Sequence, residues 1–566
     1  MTRRFRQHDL RQHWSLDGTW DFAFLGNVDC DELQLDSIVY DDRMAVPGCF
    51  DATPKYAGQR GLAAYRTNVL LADATPHRLV FDNVQNWCRV FLNGTQLAEH
   101  GGGFTQFSVD IPPGTTGEAE LVVLVENNIS TQRSPLHMHW FDWYHYGGIA
   151  GAVELHRLGE LWIENLLVRT EDFRQRRISL VIDYRAIHAL GNADLSITCE
   201  GRAVHEQKVS LDADAGRLEL TLTLEGAKLW SPEQPNLHML HVRLGDDDIR
   251  ERIGIRQVLV KGRDILFNGE PLQLRGFCRH NLHPLFGDAI PDQVLVSDVQ
   301  QLKDMNCNFV RGSHYPQDLR FLDLCDEVGL CVWNEATGWQ NTPGQLTDEN
   351  YIAAQMLNID EMVAMSVNRP SVILWGVLNE FESHDPKAKP ACEKFLNRLR
   401  ELDPTRPVTY ATFRLLEDVC YDLADVISLN RYPGWYEREI EDIPEELAKV
   451  PAHLDSIGQG HKPIIISEIG GGAIFGCRDW YNTRWSEDYQ ARLLETVIRS
   501  LFGAESNLEG RVCGLSIWQF CDVRSTHAAG PAMFRPRAYN NKGVVDEFRR
   551  PKLAYDVVKR LFAELA

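Results

Sequence analysis

Alternation of apolar and polar residues with a period of two marks the N-terminal part of the chain. The runs at 79–82, 88–92 and 121–125 read as strands, and Asn93-Gly94 after the second marks a tight hairpin turn. This pattern predicts a jelly-roll-like antiparallel β-sandwich over residues 1–160. Further alternating runs at 178–183, 195–198 and 218–224 predict a second, immunoglobulin-like β-sandwich over 161–256. From 257 onward the period changes. Continuous apolar runs alternate with amphipathic helical stretches such as 298–305 and 318–326. Candidate strands fall at Leu272, 308–310, 331–333, 372–375, 407–410, 426–429, 463–466 and 515–518, and eight of them in about 300 residues predict a C-terminal (β/α)8 TIM barrel over 257–566. The fold class is therefore multidomain, β plus α/β.

Two of the barrel's apolar runs end in an acid. The run 368–380 closes on Asn379-Glu380, and the run 462–470 carries Ser467-Glu468 near its end. One glutamate at a strand end is most often a surface residue or a helix cap. Two of them, after strands four and seven of one barrel, stand where barrel active sites are built. Cleavage of a glycosidic bond with retention needs one protonated and one ionised carboxyl group, roughly 5 to 5.5 Å apart. This chain offers a candidate for each.

Composition narrows the partners. The 566 residues are 44% hydrophobic and 24% charged, enough to bury several cores. A net charge of -22 repels phosphate backbones and anionic lipid, which argues against nucleic-acid or membrane partners. An acidic substrate would need a local cationic pocket. The 13 cysteines are odd in number and form no C-x-x-C pair, as expected of free thiols in a reducing compartment. No apolar leader opens the chain and no run is long enough to span a membrane, so cytoplasm is the expected location. His280 and His283 lack a third ligand at a metal-site spacing, so no metal and no cofactor is assigned.

Several motifs carry a family likeness: Leu16-Asp-Gly-Thr-Trp20, Val46-Pro-Gly48, Gly102-Gly-Phe-Thr-Gln-Phe107, Arg275-Gly-Phe-Cys-Arg-His280, Arg311-Gly-Ser-His314, Asn379-Glu380 and Ser467-Glu468. With the order sandwich, sandwich, barrel, the chain resembles glycoside hydrolase family 2 over essentially its whole length. Through Asn430-Arg-Tyr432-Pro-Gly-Trp-Tyr436, Trp485-Ser-Glu-Asp-Tyr489 and Asn540-Asn-Lys542-Gly543 it is most similar to that family's β-glucuronidases. The resemblance implies a retaining exo-β-glycosidase acting on terminal β-D-glucuronides, with Glu380 as acid/base, Glu468 as nucleophile and Tyr432 as the nucleophile's partner. It further implies a clamp on the substrate carboxylate by Asn540 and Lys542, and a sugar contact from Asp142. Asn379, Asn430 and Tyr436 join the expected substrate site, Asn379 on the sugar 2-hydroxyl. Trp518 is a candidate stacking surface. Arg275, His280 and His314, at strand ends, read either as buried packing residues or as the lining of the sugar pocket. Asn540 to Gly543 could also be no more than a polar turn.

The chain departs from the glucuronidase pattern at Gly376, where a serine is common, at Pro433 and at Ile469, and Arg535-Pro-Arg-Ala-Tyr539 does not align cleanly with the arginine expected before Asn540. These positions bear on the sugar rather than on the chemistry. A β-galacturonidase or β-galactosidase therefore stays open, as does an inert carbohydrate-binding protein, which two well-placed acids argue against. The expected partner is a small-molecule or oligosaccharide β-glycoside, and a homo-oligomer is expected.

Overall fold

The computed structural model describes residues 5–130, 133, 135, 142–504, 506, 508, 510–525 and 531–565. The first sandwich packs a four-stranded antiparallel sheet (His13–Ser15, Val153–Arg157, His77–Phe81, Phe107–Ile111) on a six-stranded one (Asp42–Val46, Gly18–Gly26, Leu62–Leu71, Gly117–Glu126, Trp87–Leu92, Thr95–Gly101). Its inner face is built from alternate residues such as Leu121, Val123 and Val125. Val122 and Leu124 on the opposite face are buried as well, because the segment carrying Leu33, Leu35, Ile38 and Tyr40 folds over them. The strand therefore reads as a continuous apolar run where alternation would mark a solvated outer face.

The second sandwich sets Leu161–Asp172, Arg177–Ala186 and Ala215–Thr223 against Arg202–Leu211, Gly191–Cys199, His238–Leu244 and Asp247–Ile253. Here the alternation is regular, with every second residue of Arg177–Ala186 buried. A short antiparallel sheet over Val258–Lys261, Asp264–Phe267 and Glu270–Pro271 follows, and Val258, Ile265 and Phe267 pack on the floor of the barrel against Leu274, Phe309, Cys331 and Trp333.

The barrel is closed and parallel: Leu274–Arg279, Phe309–Gly312, Cys331–Glu335, Val372–Asn379, Val408–Thr412, Ile427–Asn430, Ile464–Ile469 and Gly514–Ile517, numbered one to eight below. All eight expected strands form, shifted by a few residues at their ends. The fourth is the longest, and each of its residues is buried. Both helices expected between strands form, over Asp292–Asp304 and Leu319–Val328. The second starts where the Asp318 side chain accepts from the Arg320 amide and stops at Gly329, whose φ of 73° suits glycine. All thirteen cysteines are free thiols. Among the described residues no helix is long and apolar enough to cross a membrane.

One glycine reports on packing beside the site. A Cβ at Gly376, on strand four, would lie 1.9 Å from Trp333 Nε1 on strand three. The indole occupies the space a side chain would need, which accounts for the first departure from the glucuronidase pattern.

Candidate active site

Glu380 follows strand four directly, and Glu468 is the penultimate residue of strand seven, so both acids stand at the C-terminal mouth of the barrel. Leu378 and Glu380 both adopt a φ of 53°, a left-handed conformation costly for a branched or bulky side chain. This turn of the strand end places Asn379 and Glu380 in one hydrogen-bonded chain. Arg311 Nη1 donates to Glu468 Oε1 at 2.9 Å and Nη2 to Asn379 Oδ1 at 2.8 Å. Asn430 Nδ2 donates to Asn379 Oδ1 at 3.0 Å and to Glu380 Oε1 at 2.9 Å, and its own Oδ1 accepts from Ser467 Oγ at 2.8 Å. Gln340 Nε2 reaches the other oxygen of Glu380 at 3.1 Å. The buried Asn379 Nδ2 has no partner among the described residues, which leaves a donor beside both acids.

Glu468 also accepts from the Tyr432 hydroxyl at 2.7 Å. That donor and Arg311 both favour the ionised form, yet burial outweighs them and, with Glu380 adding to the rise, pushes the Glu468 carboxyl up to about 8. Behind Arg311 lies a second carboxylate, Glu335 at the end of strand three, 3.0 Å from Arg311 Nε. His314 Nδ1 lies 2.9 Å from Glu335 Oε1. Burial acts to raise Glu335, but Arg311 and His314 outweigh it and hold it below its ordinary value. Burial also pushes His314 down to about 4, and His280 well below its ordinary value, so both rings are neutral near pH 7.

The cationic side of the pocket comes from three segments. Lys542 Nζ donates to the Tyr436 hydroxyl at 2.7 Å and stands 5.5 Å and 4.8 Å from the ring centres of Tyr432 and Tyr436. Lys542 is 3% exposed, and among the described residues no carboxylate lies within ion-pairing distance of its ammonium. Arg535 donates to Asp142 through Nε at 2.6 Å and Nη2 at 2.5 Å, and to the Tyr436 hydroxyl at 3.3 Å. Asn540 Nδ2 donates to the same aspartate at 2.8 Å. The first sandwich thus reaches into the barrel mouth. Its Trp143 packs against His280, His314 and Trp339, with ring centres 5.1, 5.4 and 5.7 Å away. Trp518 is buried, with one face stacked on His314 at 5.1 Å and the edge-on ring of His280 at 5.3 Å.

All twelve expected site residues gather at the barrel mouth. Tyr436, 59% exposed, forms its rim. One associated reading is corrected. Arg275 is the second residue of strand one, at the opposite end of the barrel, where its Nε donates to the Asn306 carbonyl. His283 packs on Phe286. The sequence reading missed Arg311, Glu335, Gln340 and Trp143 as site residues, and it left Arg535 unplaced. Asn334-Glu335 repeats, at the end of strand three, the signature that marks Glu380 at the end of strand four.

Comparison with known proteins agrees with this architecture. The pattern of the glycosyl hydrolases family 2 TIM barrel domain matches residues 258–566, and that of glycosyl hydrolases family 2 matches 164–256. A crystal structure of a β-galacturonidase of this family from Eisenbergiella tayi, bound to galacturonate, is similar over 100% of both chains, with a TM-score of 0.91 and 32% identity. A β-D-glucuronidase structure from Dictyoglomus thermophilum is similar over 99% of this chain and 98% of that one, with a TM-score of 0.84 and 25% identity. Among curated relatives, a β-glucuronidase of Paenibacillus borealis is 29% identical over 84% of this chain and 83% of its own length. A β-galactosidase of Thermoanaerobacterium thermosulfurigenes is 31% identical over 85% of this chain and 65% of its own length. With the barrel pattern alone covering more than half of its residues, the chain belongs to glycosyl hydrolase family 2 and is a β-glycosidase close to the β-glucuronidases of that family.

Proposed function

We propose that this glycosidase removes terminal β-D-uronic acids, β-D-glucuronides first, with retention of configuration. The observation that carries this reading is the buried, carboxylate-free Lys542. An ammonium in a dry pocket without a counterion favours an anionic ligand and disfavours a neutral hexose, which would leave it unpaired. A uronate set against Lys542 and Arg535 gains charge-assisted hydrogen bonds that a hydroxymethyl group cannot make.

In the proposed double displacement, Glu468 attacks the anomeric carbon while Glu380 gives its proton to the leaving oxygen. Glu380 then takes a proton from water, which releases the sugar from its ester with Glu468. The two inversions cancel. Asn379 Nδ2 is the donor available to the sugar 2-hydroxyl, a bond that strengthens as charge develops on the ring. Thirteen free thiols are consistent with a reducing, cytoplasmic setting.

A β-D-galacturonide is the second reading, favoured by the full-length likeness to the Eisenbergiella tayi enzyme. Both sugars carry the same carboxylate and differ in configuration at one hydroxyl carbon. A panel of 4-nitrophenyl β-glucuronide, β-galacturonide, β-glucoside and β-galactoside tests both. Uronides are expected to be turned over well ahead of hexosides, and a preference for either hexoside rejects the uronate site.

A further inference from the structure

Arg311 is wholly buried and lies between two carboxylates on opposite sides of the barrel. Its Nε and Nη2 face Glu335 at 3.0 and 3.3 Å, which leaves only Nη1 for Glu468 at 2.9 Å. His314 repeats the arrangement on a smaller scale, with Nδ1 2.9 Å from Glu335 and Nε2 3.6 Å from Glu468. Glu335 itself is fully buried behind both groups. It has no path to a sugar.

We propose that Glu335 is a positioning residue for the nucleophile: by sharing Arg311 with Glu468, it fixes where that guanidinium points and how much of its charge Glu468 feels. The inference rests on the reading of Glu468 as nucleophile.

Two physical arguments support it. A guanidinium committed to Glu468 alone would pair with both of its oxygens and hold their electrons back from carbon. Second, Glu468 loses its charge when it becomes a glycosyl ester, which would strand a buried cation if Arg311 had no other counterion. Glu335 keeps Arg311 balanced through both half-reactions, so the charged background of the site stays constant. The charged and titratable groups bearing on Glu468 and Glu335 are Arg311 and His314 at strand two, Cys278 at strand one, Glu380 after strand four and Tyr432 after strand six. Of the two carboxylates flanking Arg311, only Glu335 keeps its charge in the ester.

The test compares Glu335→Gln and Glu335→Asp with the wild type. Glu335→Gln keeps the shape and removes the charge. Its kcat/KM on an aryl β-uronide is expected to fall by roughly 10- to 100-fold, mainly in kcat. The acidic limb of its pH profile should move to lower pH, because Arg311 then acts on Glu468 undivided. Glu335→Asp keeps the charge at a shorter reach, so the limb should hold its place while the rate drops. A purely structural role lowers Tm and leaves the limb unmoved. A folded Glu335→Gln with a wild-type limb overturns the proposal, and so does a shifted limb or a wild-type kcat in Glu335→Asp, whose kcat decides the matter if the glutamine variant does not fold. Labelling the wild type with a 2-deoxy-2-fluoro uronosyl fluoride separates the two levels. A label away from Glu468 rejects the nucleophile assignment, whereas a label on Glu468 with an unmoved limb rejects only the role of Glu335.

Discussion

Arg535 of the barrel holds Asp142 of the first sandwich through two parallel donors, at 2.6 and 2.5 Å, and shares the Tyr436 hydroxyl with Lys542. Asp142 therefore offsets one of the two cations in the pocket and leaves the other for a ligand. In the proposed uronidase, this charge arrangement, more than any single residue, is what favours a uronate over a hexose.

Lys542→Ala removes the uncompensated cation. Truncating one side of a buried charged pair costs about 2 to 5 kcal/mol, so kcat/KM on a β-uronide is expected to drop by ~30-fold or more. The slow reaction on the matching neutral glycoside should change little or improve. Equal losses on both substrates would reduce Asn540 to Gly543 to a turn.

Arg535→Ala leaves the Asp142 carboxylate facing the uronate with the neutral donors Asn540 and Ser525 in place of a cation. Like charges then share a poorly hydrated pocket, and a loss of ~10-fold or more is expected on uronides, with a smaller one on hexosides. Steady-state kinetics on the matched pair of substrates measures the difference. A uniform loss would instead mean that Arg535 serves only to dock the sandwich on the barrel.

Glu468→Gln should lower turnover by at least ~10⁴-fold, since no carboxylate remains to form the ester. In the wild type, a 2-deoxy-2-fluoro uronosyl fluoride should add to this residue, read by peptide mass spectrometry. Addition to Glu380 would reverse the two roles.

Glu380→Ala should slow substrates with poor leaving groups far more than activated aryl glycosides, because only the former need a proton on the leaving oxygen. Azide should restore activity and yield the β-glycosyl azide. The absence of both effects would remove Glu380 from the acid/base role.

The pH profile follows from the raised Glu468. A carboxyl lifted to about 8 ionises late, so the attacking form accumulates as pH rises and kcat/KM should climb through that region. Tyr432→Phe removes a donor that favours the ionised form and should move the limb further toward high pH. A limb near the ordinary carboxylate range, in wild type or variant, contradicts this ordering of burial over hydrogen bonding.

Much of the architecture could be read before the structure because parallel barrel strands are buried on both faces and show as unbroken apolar runs. The run 372–380 even exposes its catalytic candidate, since Glu380 interrupts that pattern. Gly117–Glu126 gave a blurred signal for the opposite reason: its outer face is covered by a distant earlier segment, Leu33 to Tyr40, and local periodicity carries no trace of that cover. Charge pairs in the site were similarly hidden. Arg311 and Glu468 are 157 residues apart, and Arg535 and Asp142 are 393 apart, so neither residue announces its partner. Trp143 could not be assigned to the barrel mouth because its own segment belongs to a different sheet system. Glu335 alone was within reach, as an acid closing an apolar strand.

The contact between Gly376 and Trp333 ties two positions into one choice. An indole on strand three permits only hydrogen at the neighbouring position of strand four, so a serine there requires a smaller residue at 333 in the same step. Trp333 also lies under the Arg311 guanidinium, 4.5 Å from its centre, and any such exchange reaches the cation that holds Glu468. Sequence drift at this layer of the barrel is thereby coupled to the site above it, and a designer who grafts the more usual serine alone would be repacking the support of Glu468 without touching the pocket.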